Sequence, residues 1–401
     1  MRAGRYCPWN ILMKMAEQPN SDIFANNPSE LASEYNCVVV KAGTNVLTGG
    51  KDELDLSIME ELVRQLAWLH RRGVKVLLVT SGAIAAGRKV LDMDEDKTDM
   101  SYRQMLASVG QSRLLQIYSS LFESWGIIVA QALLTRNDIS DRQGYLNVRN
   151  ILHSLLSRGV IPIINENDVV ALEEIGPVFG DNDTLSALVV NLVDADLLAI
   201  LTDTNGLFTA DPNKDSDAKI INRVERVDSY IESLAGKHDN QRSRGGMASK
   251  LGAAKTATRL GATVVICNGL TRDIVPRIVL GQSLGTLFVA TASKMESRKR
   301  WMLSGLSIKG DIYVDSGAER ALVEDNKSLL PAGVNNVKGD FHRGDVVSVR
   351  NVNGVMIACG LTNYDALEIT KMKGQRSENI QAVIDNYYGQ EVVHRNNMVL
   401  L

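Results

Sequence analysis

The chain has 401 residues, of which 45% are hydrophobic and 23% charged, and its formal net charge at pH 7 is −3. This length predicts roughly two to three domains of about 150 residues each. A balance so close to neutral gives the whole protein no attraction to nucleic acid or to an anionic membrane surface. No stretch reaches the ~18 to 20 continuous apolar residues of a membrane span.

The first segment, residues 1–34, is polar and shows neither hydrophobic periodicity nor the apolar core of a signal peptide. We expect it to be a mobile N-terminal extension. The four cysteines are scattered along the chain and form no CxxC pair. This usage favours a reduced protein in the cytoplasm over a secreted one.

The large domain, residues 35–290, alternates apolar runs with segments of helical periodicity. The predicted strands lie at 37–43, 74–80, 127–131, 160–164, 197–201 and 263–267, and helices are predicted between them, for example at 105–125 and 184–193. The hydrophobicity of these strands is continuous rather than alternating, which indicates that both faces of the sheet are covered. The pattern therefore predicts an αβα sandwich with a largely parallel central sheet.

The remainder of the chain has a different texture. Residues 291–307 are rich in charge and are interpreted as a linker, whereas residues 308–401 contain short strands with frequent glycines. This part is predicted to be a small β-rich domain of about 90 residues.

Two lysines lie beside glycines in the large domain. Lys41 ends a predicted buried strand just before Gly43 and Thr44, but the spacing fits neither a Walker loop nor a GxGxxG motif. A lysine that extends from the strand end to solvent is the alternative. Lys250 follows Gly245 and Gly246 in the first turns of a helix, where the helix dipole disfavours a cation but favours a bound phosphate. Its alternative is a solvated surface lysine.

Two polar clusters follow in the same domain, INEND at 164–168 and GDND at 180–183. They lie where a predicted strand ends and where a predicted helix begins, the positions at which open α/β sheets bind ligands. Asp183 has an alternative role as the N-cap of a helix starting at Thr184, worth about 1 kcal/mol. The segment 202–212, TDTNGLFTADP, is by spacing alone a loop.

From about Val38 to Phe288 the chain resembles the amino-acid kinase superfamily, and most closely its glutamate 5-kinase family. The resemblance depends on motifs that occur in the family's order: VVVKAGTNVLT, VTSGAIAAGR, LASVGQSRLL, INEND, GDNDTLSA, LTDTNGLFTADP and GGMASKLGAA. The C-terminal part, with SLLPAGV, RGDVVSV and VVHRNNM, is similar to a PUA domain.

The resemblance implies that ATP, with Mg²⁺, phosphorylates the side-chain carboxylate of L-glutamate, giving glutamyl 5-phosphate for proline biosynthesis. A glutamate carboxylate is already ionised at pH 7, so no general base is needed. The reaction needs charge compensation instead, which lysines and Mg²⁺ supply. The metal is expected to bind mainly through the phosphates, and no protein ligands are assigned to it.

The resemblance also assigns roles to individual residues. The catalytic residues it implies are Lys41, Lys250 and Asp183. The glutamate-binding residues it implies are Ser81, Asn165, Asp168, Asp181 and Asn182. The nucleotide-binding residues it implies are Gly43, Thr44, Thr202, Asp203, Arg244, Gly245, Gly246, Met247, Ser249 and Lys250. Two positions depart from the family pattern: Asn45 replaces an expected serine, and Arg244 replaces a small residue.

Two other functions stay open at this point. A sister kinase, for N-acetylglutamate, aspartate, carbamate or a uridylate, would need a different acceptor pocket. An RNA-binding or regulatory protein would act through the PUA-like domain, but residues 308–401 carry ten Lys and Arg against twelve Asp and Glu, which disfavours RNA binding. The family further implies feedback inhibition by L-proline, a homo-oligomer, and contact with a separate glutamyl-phosphate reductase.

Overall fold

The structure is a computed structural model that describes residues 35–92, 99–170, 182–212, 214–235, 246–291 and 308–401. Most of the proposed extension (1–34) and linker (291–307), together with Asp181, Arg244 and Gly245, lie outside these described residues. The domain boundaries at 34/35, 290/291 and 307/308 therefore remain our division of the chain.

The large domain is built on an eight-stranded sheet in the order β3-β4-β2-β1-β5-β7-β8-β6. Its strands are β1 (Cys37–Ala42), β2 (Lys75–Val79), β3 (Val129–Leu134), β4 (Ile161–Glu166), β5 (Leu197–Thr202), β6 (Arg223–Val224), β7 (Thr263–Asn268) and β8 (Thr286–Phe288). Every pairing is parallel except the antiparallel one between β7 and β8. The predicted, largely parallel sheet is confirmed.

Helices cover both faces of this sheet. They are α1 (Thr44–Thr48), α2 (Leu56–His70), α3 (Ala83–Leu91), α4 (Met100–Glu123), α5 (Arg136–Ser140), α6 (Arg142–Ser157), α7 (Asn182–Val193), α8 (Ser229–Leu234), α9 (Met247–Arg259) and α10 (Ile274–Val279). Alternate residues of β1 enter two different cores: Val39 packs with the cluster that includes α6, α7 and α9, and Val38 and Val40 pack with the one that includes α2 and α4. Both faces of a strand are buried, which explains its continuous hydrophobicity.

The central strands bring their carboxyl ends to one edge of the sheet. Lys41 pairs with Val79 of β2 on one side and with Ile200 of β5 on the other. On the next strand but one, Ile164 of β4 pairs with Val79. The residues that follow β1, β2, β4 and β5 therefore share one edge, where a parallel α/β sheet binds its ligands.

Some element boundaries differ from the sequence prediction. The helix predicted at 105–125 is α4 and starts at Met100, because the side chain of Asp99 accepts from the backbone N–H of Tyr102 and caps a polar first turn. The helix predicted from Thr184 is α7, whose described part starts at Asn182, so Asp183 lies inside the first turn and not at the N-cap.

The C-terminal residues form a separate five-stranded sheet in the order β10-β9-β11-β12-β13. Its elements are β9 (Gly310–Val314), α11 (Ser316–Val323), β10 (Val334–Gly339), β11 (Val346–Arg350), β12 (Met356–Leu361), α12 (Ala366–Met372) and β13 (Met398–Leu400). The sheet has its own core, which includes Phe341 and Tyr364, both fully buried. The predicted β-rich domain is confirmed. No helix in the part of the chain that the structure describes is long and apolar enough to cross a membrane.

Arg149 joins the two sheets. From α6 its Nε donates to Oδ1 of Asn397 at 2.6 Å, and its Nη2 donates to the backbone carbonyl of Asn396 at 2.8 Å. Nη2 also lies 2.6 Å from Oδ2 of Asp194. Nη1 donates to the carbonyls of Asn191 and Leu192, at the C-terminal end of α7. A single buried guanidinium thus binds both the end of α7 and the C-terminal domain.

Candidate active site

Asp183 lies at the centre of a cluster of charged side chains at the carboxyl edge of the large sheet. Lys41 Nζ lies 2.6 Å from its Oδ1, and Lys250 Nζ lies 3.2 Å from its Oδ2. The Asp183 side chain is fully buried, and those of the two lysines are 6% and 9% exposed. Ser249 Oγ also donates to Oδ2, at 2.8 Å. The structure therefore brings two ammonium groups from distant segments to one carboxylate.

Burial rules out the alternative interpretations of both lysines. Lys41 is the fifth residue of the fully buried β1 and cannot extend to solvent. Gly43, directly after the strand, leaves space for the ammonium group of Lys41, because a Cβ at position 43 would lie only 3.3 Å from Lys41 Nζ. Lys250 is the fourth residue of α9, whose N-cap Gly246 provides no side chain to the first turn. Neither lysine is a solvated surface residue.

The carboxyl group of Asp183 is held in its ionised form. Burial by itself raises the pKa of this group, but the charges of Lys41 and Lys250 and the hydrogen bonds from Lys41 and Ser249 outweigh it and lower the pKa below the ordinary 3.8. An ionised carboxylate in this position orients ammonium groups and has no proton to donate. The geometry therefore suits a positioning role for Asp183.

A second group of polar side chains lies beside this cluster. Asn182, next to Asp183, donates from Nδ2 to the carbonyl of Thr80 and to Ser81 Oγ, both at 2.9 Å, and lies 3.1 Å from Oδ1 of Asn165. Oδ1 of Asn182 is buried and has no hydrogen-bond partner among the described residues. A buried acceptor without a partner is costly, so a ligand that donates a hydrogen bond would satisfy it.

Asp168 follows β4 in a turn and is half-buried. Its backbone carbonyl accepts a hydrogen bond of 2.9 Å from Nε2 of Gln104 on α4. Asn165 thus lies near the end of β4, Asp168 follows that strand, and Ser81 follows the adjacent strand β2. All described residues of the predicted glutamate site lie at the same edge of the sheet.

On the other side of Lys41, the predicted nucleotide residues Gly43 and Thr44 follow β1, and Thr202 and Asp203 lie at the end of β5. Asp203 accepts from Asn45 Nδ2 at 2.9 Å and from Thr202 Oγ1 at 3.0 Å. Burial raises the pKa of Asp203, but these hydrogen bonds, with a smaller effect of the Lys250 charge, hold it below 3.8. Thr44 and Gly246 are exposed, and Gly43 and Met247 are half-buried. The rim of the cluster is therefore accessible on this side.

Several contacts at the site were not foreseen from the sequence. Asn45 was noted only as a departure from a family pattern, yet its amide fixes Asp203. Thr80 supplies a backbone carbonyl, for which side-chain chemistry gives no signal. Gln104 and Gln111 reach the site from α4, and their seven-residue spacing is a signal that the sequence does contain.

Metal-binding side chains are sparse. Across the described ranges, no group of three or more His, Cys, Asp or Glu residues is arranged to hold a metal ion. Of the histidines that the structure describes, His70 bonds to the carbonyl of Gly159 and His342 lies near Asp365. His153, on α6, and His394, in the C-terminal domain, both lie near Arg149.

Comparison with known proteins agrees with this architecture. The model of the amino acid kinase family matches residues 36–268, and that of the PUA domain matches residues 310–384. The chain is 46% identical over 368 residues to a glutamate 5-kinase of Dehalococcoides mccartyi, covering 92% of this chain and 99% of that protein. It is 47% identical over 364 residues to a glutamate 5-kinase of Photobacterium profundum, covering 91% and 96%.

Among solved structures, a UMP kinase from Bacillus anthracis aligns with 64% of this chain and 97% of its own, at 17% sequence identity and a TM-score of 0.44. This likeness is too weak to indicate an activity.

Proposed function

Because this chain belongs to the amino acid kinase family, and because curated relatives aligned over almost their whole length are glutamate 5-kinases, we propose that it transfers the γ-phosphoryl group of ATP to the side-chain carboxylate of L-glutamate. The product is L-glutamyl 5-phosphate, which serves proline biosynthesis. The observation that carries the proposal is the pair of buried lysines, Lys41 and Lys250, on the two oxygens of Asp183.

The residues present fit a bound nucleotide. Gly246 and Met247 begin a 13-residue helix whose N-cap makes no side-chain hydrogen bond, and a Cβ at Gly246 would meet nothing within 4 Å. Free backbone N–H groups and a lysine in the first turn are a site for phosphate. Gly43, Thr44, Thr202 and Asp203 are proposed to line the opposite side, with Arg244 and Gly245 in the segment before α9.

ATP with Mg²⁺ supplies the transferable phosphoryl group and neutralises part of its charge. We propose that Mg²⁺ binds mainly through the phosphate oxygens of ATP. Lys41 and Lys250 would stabilise the negative charge that develops as the phosphoryl group passes from the leaving oxygen of ADP to the carboxylate oxygen of glutamate. Asp183 fixes the positions of both ammonium groups before substrate arrives, so little reorganisation is needed at the moment of reaction.

The acceptor needs no base, because its carboxylate is ionised at neutral pH. We propose that the buried Oδ1 of Asn182 and the carboxylate of Asp168 accept hydrogen bonds from the α-ammonium group of glutamate. Ser81, with its Oγ 2.9 Å from Asn182 Nδ2, would donate to the α-carboxylate. Asn165 supports Asn182, and Asp181 is assigned to the same pocket.

L-Proline carries the same α-ammonium and α-carboxylate groups but no side-chain acceptor. We propose that it competes for the glutamate pocket and acts as a feedback inhibitor. A homo-oligomer, contact with a separate glutamyl-phosphate reductase and a cytoplasmic location complete the proposal. The scattered cysteines, which form no CxxC pair, support a reducing compartment.

An ADP-release assay with a panel of acceptors tests this function. We expect turnover with L-glutamate at least 100-fold faster than with N-acetylglutamate, L-aspartate, carbamate or UMP, and inhibition by L-proline that higher glutamate relieves. Preference for any other acceptor on the panel would assign the site to a sister kinase.

A further inference from the structure

Three of the polar side chains of helix α4 follow one another at intervals of seven residues. They are Gln104, Gln111 and Tyr118. Seven residues of an α-helix make almost two full turns, so these side chains lie along one stripe of the helix surface. Gln104 Nε2 donates to the carbonyl of Asp168 at 2.9 Å, and Gln111 Oε1 accepts from Nδ2 of Asn165 at 2.7 Å. Tyr118 OH shares a hydrogen bond of 2.8 Å with Thr80 Oγ1.

The three contacts are made to two different segments of the acceptor pocket. Asp168 and Asn165 belong to the INEND segment at the end of β4, and Thr80 precedes Ser81 at the end of β2. A stripe of three polar residues on a largely apolar helix face would otherwise weaken its packing. Here one polar atom of each side chain forms a hydrogen bond with the pocket.

The helix is itself held at close range by α3. A Cβ on Gly110 would lie 1.7 Å from the carbonyl oxygen of Ala83, and one on Gly87 would lie 2.0 Å from that of Leu106. Both glycines therefore allow a backbone contact that no other residue permits. This contact accounts for Gly110 in the VGQSR motif and for Gly87 in the SGAIAAGR motif. The second motif begins with Ser81 of the acceptor pocket.

We propose that α4 is the positioning element of the acceptor pocket, and that Gln111 is a positioning residue that acts through Asn165 on Asn182. This proposal rests on the proposed function, because it assigns a role within the glutamate pocket. The Gln111 oxygen accepts from the Asn165 amide nitrogen, so Asn165 Oδ1 faces both the backbone N–H of Glu166, at 2.9 Å, and Asn182 Nδ2, at 3.1 Å.

The chain of amides has a fixed direction. The Glu166 N–H can only donate and the Thr80 carbonyl can only accept, so both ends of the chain specify which amide atom points where. The two hydrogens of Asn182 Nδ2 are shared among the Thr80 carbonyl, Ser81 Oγ and Asn165 Oδ1, so Asn182 Oδ1 is left as the atom that can accept a hydrogen bond from a ligand. Gln111 thus helps to set the polarity that the pocket presents to an ammonium group.

The test compares Gln111→Met, which keeps the length of the side chain but removes the acceptor, with Gln116→Met. Gln116 is an exposed residue of the same helix, and its side-chain oxygen accepts a hydrogen bond of 2.8 Å from Nη1 of Arg113. We expect Gln111→Met to raise the KM for glutamate about tenfold, with the KM for ATP and kcat within about threefold of wild type. Gln116→Met should change none of them.

A double-mutant cycle with Asn165→Ala separates positioning from a general loss of stability. If Gln111 acts through Asn165, Gln111→Met should raise the KM for glutamate less than twofold in the Asn165→Ala background. An equal, tenfold increase in both backgrounds would overturn the proposal. So would an equal loss of affinity for both substrates in Gln111→Met alone.

Hydrogen exchange can be measured without any phosphoryl-acceptor substrate, so it tests the positioning role independently of the proposed function. Amide hydrogen exchange should become at least tenfold faster at 165–168 in Gln111→Met, but not in Gln116→Met. Wild-type protein that releases no ADP with glutamate would overturn the proposed function, whereas unchanged exchange at 165–168 would overturn the positioning role.

Discussion

The ammonium group of Lys41 lies 2.6 Å from Oδ1 of Asp183, with the two side chains 6% and 0% exposed. A buried charge is tolerated in a protein only when a partner of opposite sign compensates for it. Lys250 takes up the other oxygen of the same carboxylate. Any change to one member of this cluster therefore alters the electrostatic environment of the other two, and the effects expected of Asp183→Asn and Lys250→Ala depend on this coupling.

Asp183→Asn should lower kcat at least 100-fold, because the amide keeps the shape of the side chain but loses the charge that orients both ammonium groups. We also expect the free energy of unfolding to fall by about 3 kcal/mol, since two buried cations lose their shared partner. ADP release and denaturant unfolding measure the two effects. Asp217→Asn, in an exposed turn, is the matched control. Unchanged kcat in Asp183→Asn would contradict the positioning role.

Asn45→Ala should weaken nucleotide binding and leave glutamate binding unchanged. The Asn45 amide donates to Asp203 at 2.9 Å on the predicted nucleotide side of the site. We expect the KM for ATP to rise about threefold to tenfold, and Asn45→Ser, whose hydroxyl is a shorter hydrogen-bond donor, to lie between wild type and alanine. A larger effect on the KM for glutamate than on the KM for ATP would contradict the placement of Asn45 on the nucleotide side of the site.

Arg149→Met should loosen the attachment of the C-terminal domain. The substitution removes the hydrogen bonds to Asn396 and Asn397 and the ion pair with Asp194. We expect a loss of about 3 kcal/mol in stability and faster tryptic cleavage between the domains. Because Arg149 also binds the last carbonyls of α7, which carries Asp183, kcat should fall a few fold. The exposed Arg158, changed to Met, should have neither effect.

The stability of the protein should fall as the pH drops from 6.5 toward 4. Burial, and then the charge of Arg149, lower the pKa of His153 to about 4; Asp194 opposes the shift, and His394 and Lys75 add to it. Between these pH values the unfolded chain binds a proton that the folded protein does not, so unfolding becomes easier as the pH falls. We expect a loss on the order of 2 kcal/mol from this group.

His153→Leu should flatten that part of the pH profile, as measured by denaturant unfolding at pH 7.5, 6 and 5. His342→Leu is the control, because the His342 side chain is 72% exposed. The pKa of His394 is lowered in the same direction by burial, so a smaller slope should persist in the His153 variant. A pH profile identical to that of wild type would contradict the assignment.

Much of the fold is predictable because burial leaves a direct signal in the sequence. The apolar run at 37–43 predicts β1, observed at Cys37–Ala42, because a strand covered on both faces contains no alternating polar residues. The antiparallel pairing of β7 and β8 was not foreseen, since β8 has only three residues and pairing direction leaves no mark on so short a segment.

The candidate site was predictable in its residues and less so in its contacts. Lys41, Asp183 and Lys250 were identified through motifs, but their convergence depends on sheet order, which no local spacing encodes. Arg149 was overlooked because an arginine in an amphipathic helix resembles a solvated residue until the C-terminal domain is packed against it. Gln111 was noted only as part of the VGQSR motif, because its role depends on a partner from another strand.

The most direct test of the central claim compares Lys250→Ala with Lys255→Ala in glutamate-dependent ADP release. Both lysines belong to α9. Lys255 forms an ion pair with the surface residue Glu232, whereas Lys250 forms one with the buried Asp183. We predict that Lys250→Ala lowers kcat at least 100-fold with a KM for glutamate within threefold of wild type, and that Lys255→Ala retains full activity. Equal activity of the two variants would contradict the account.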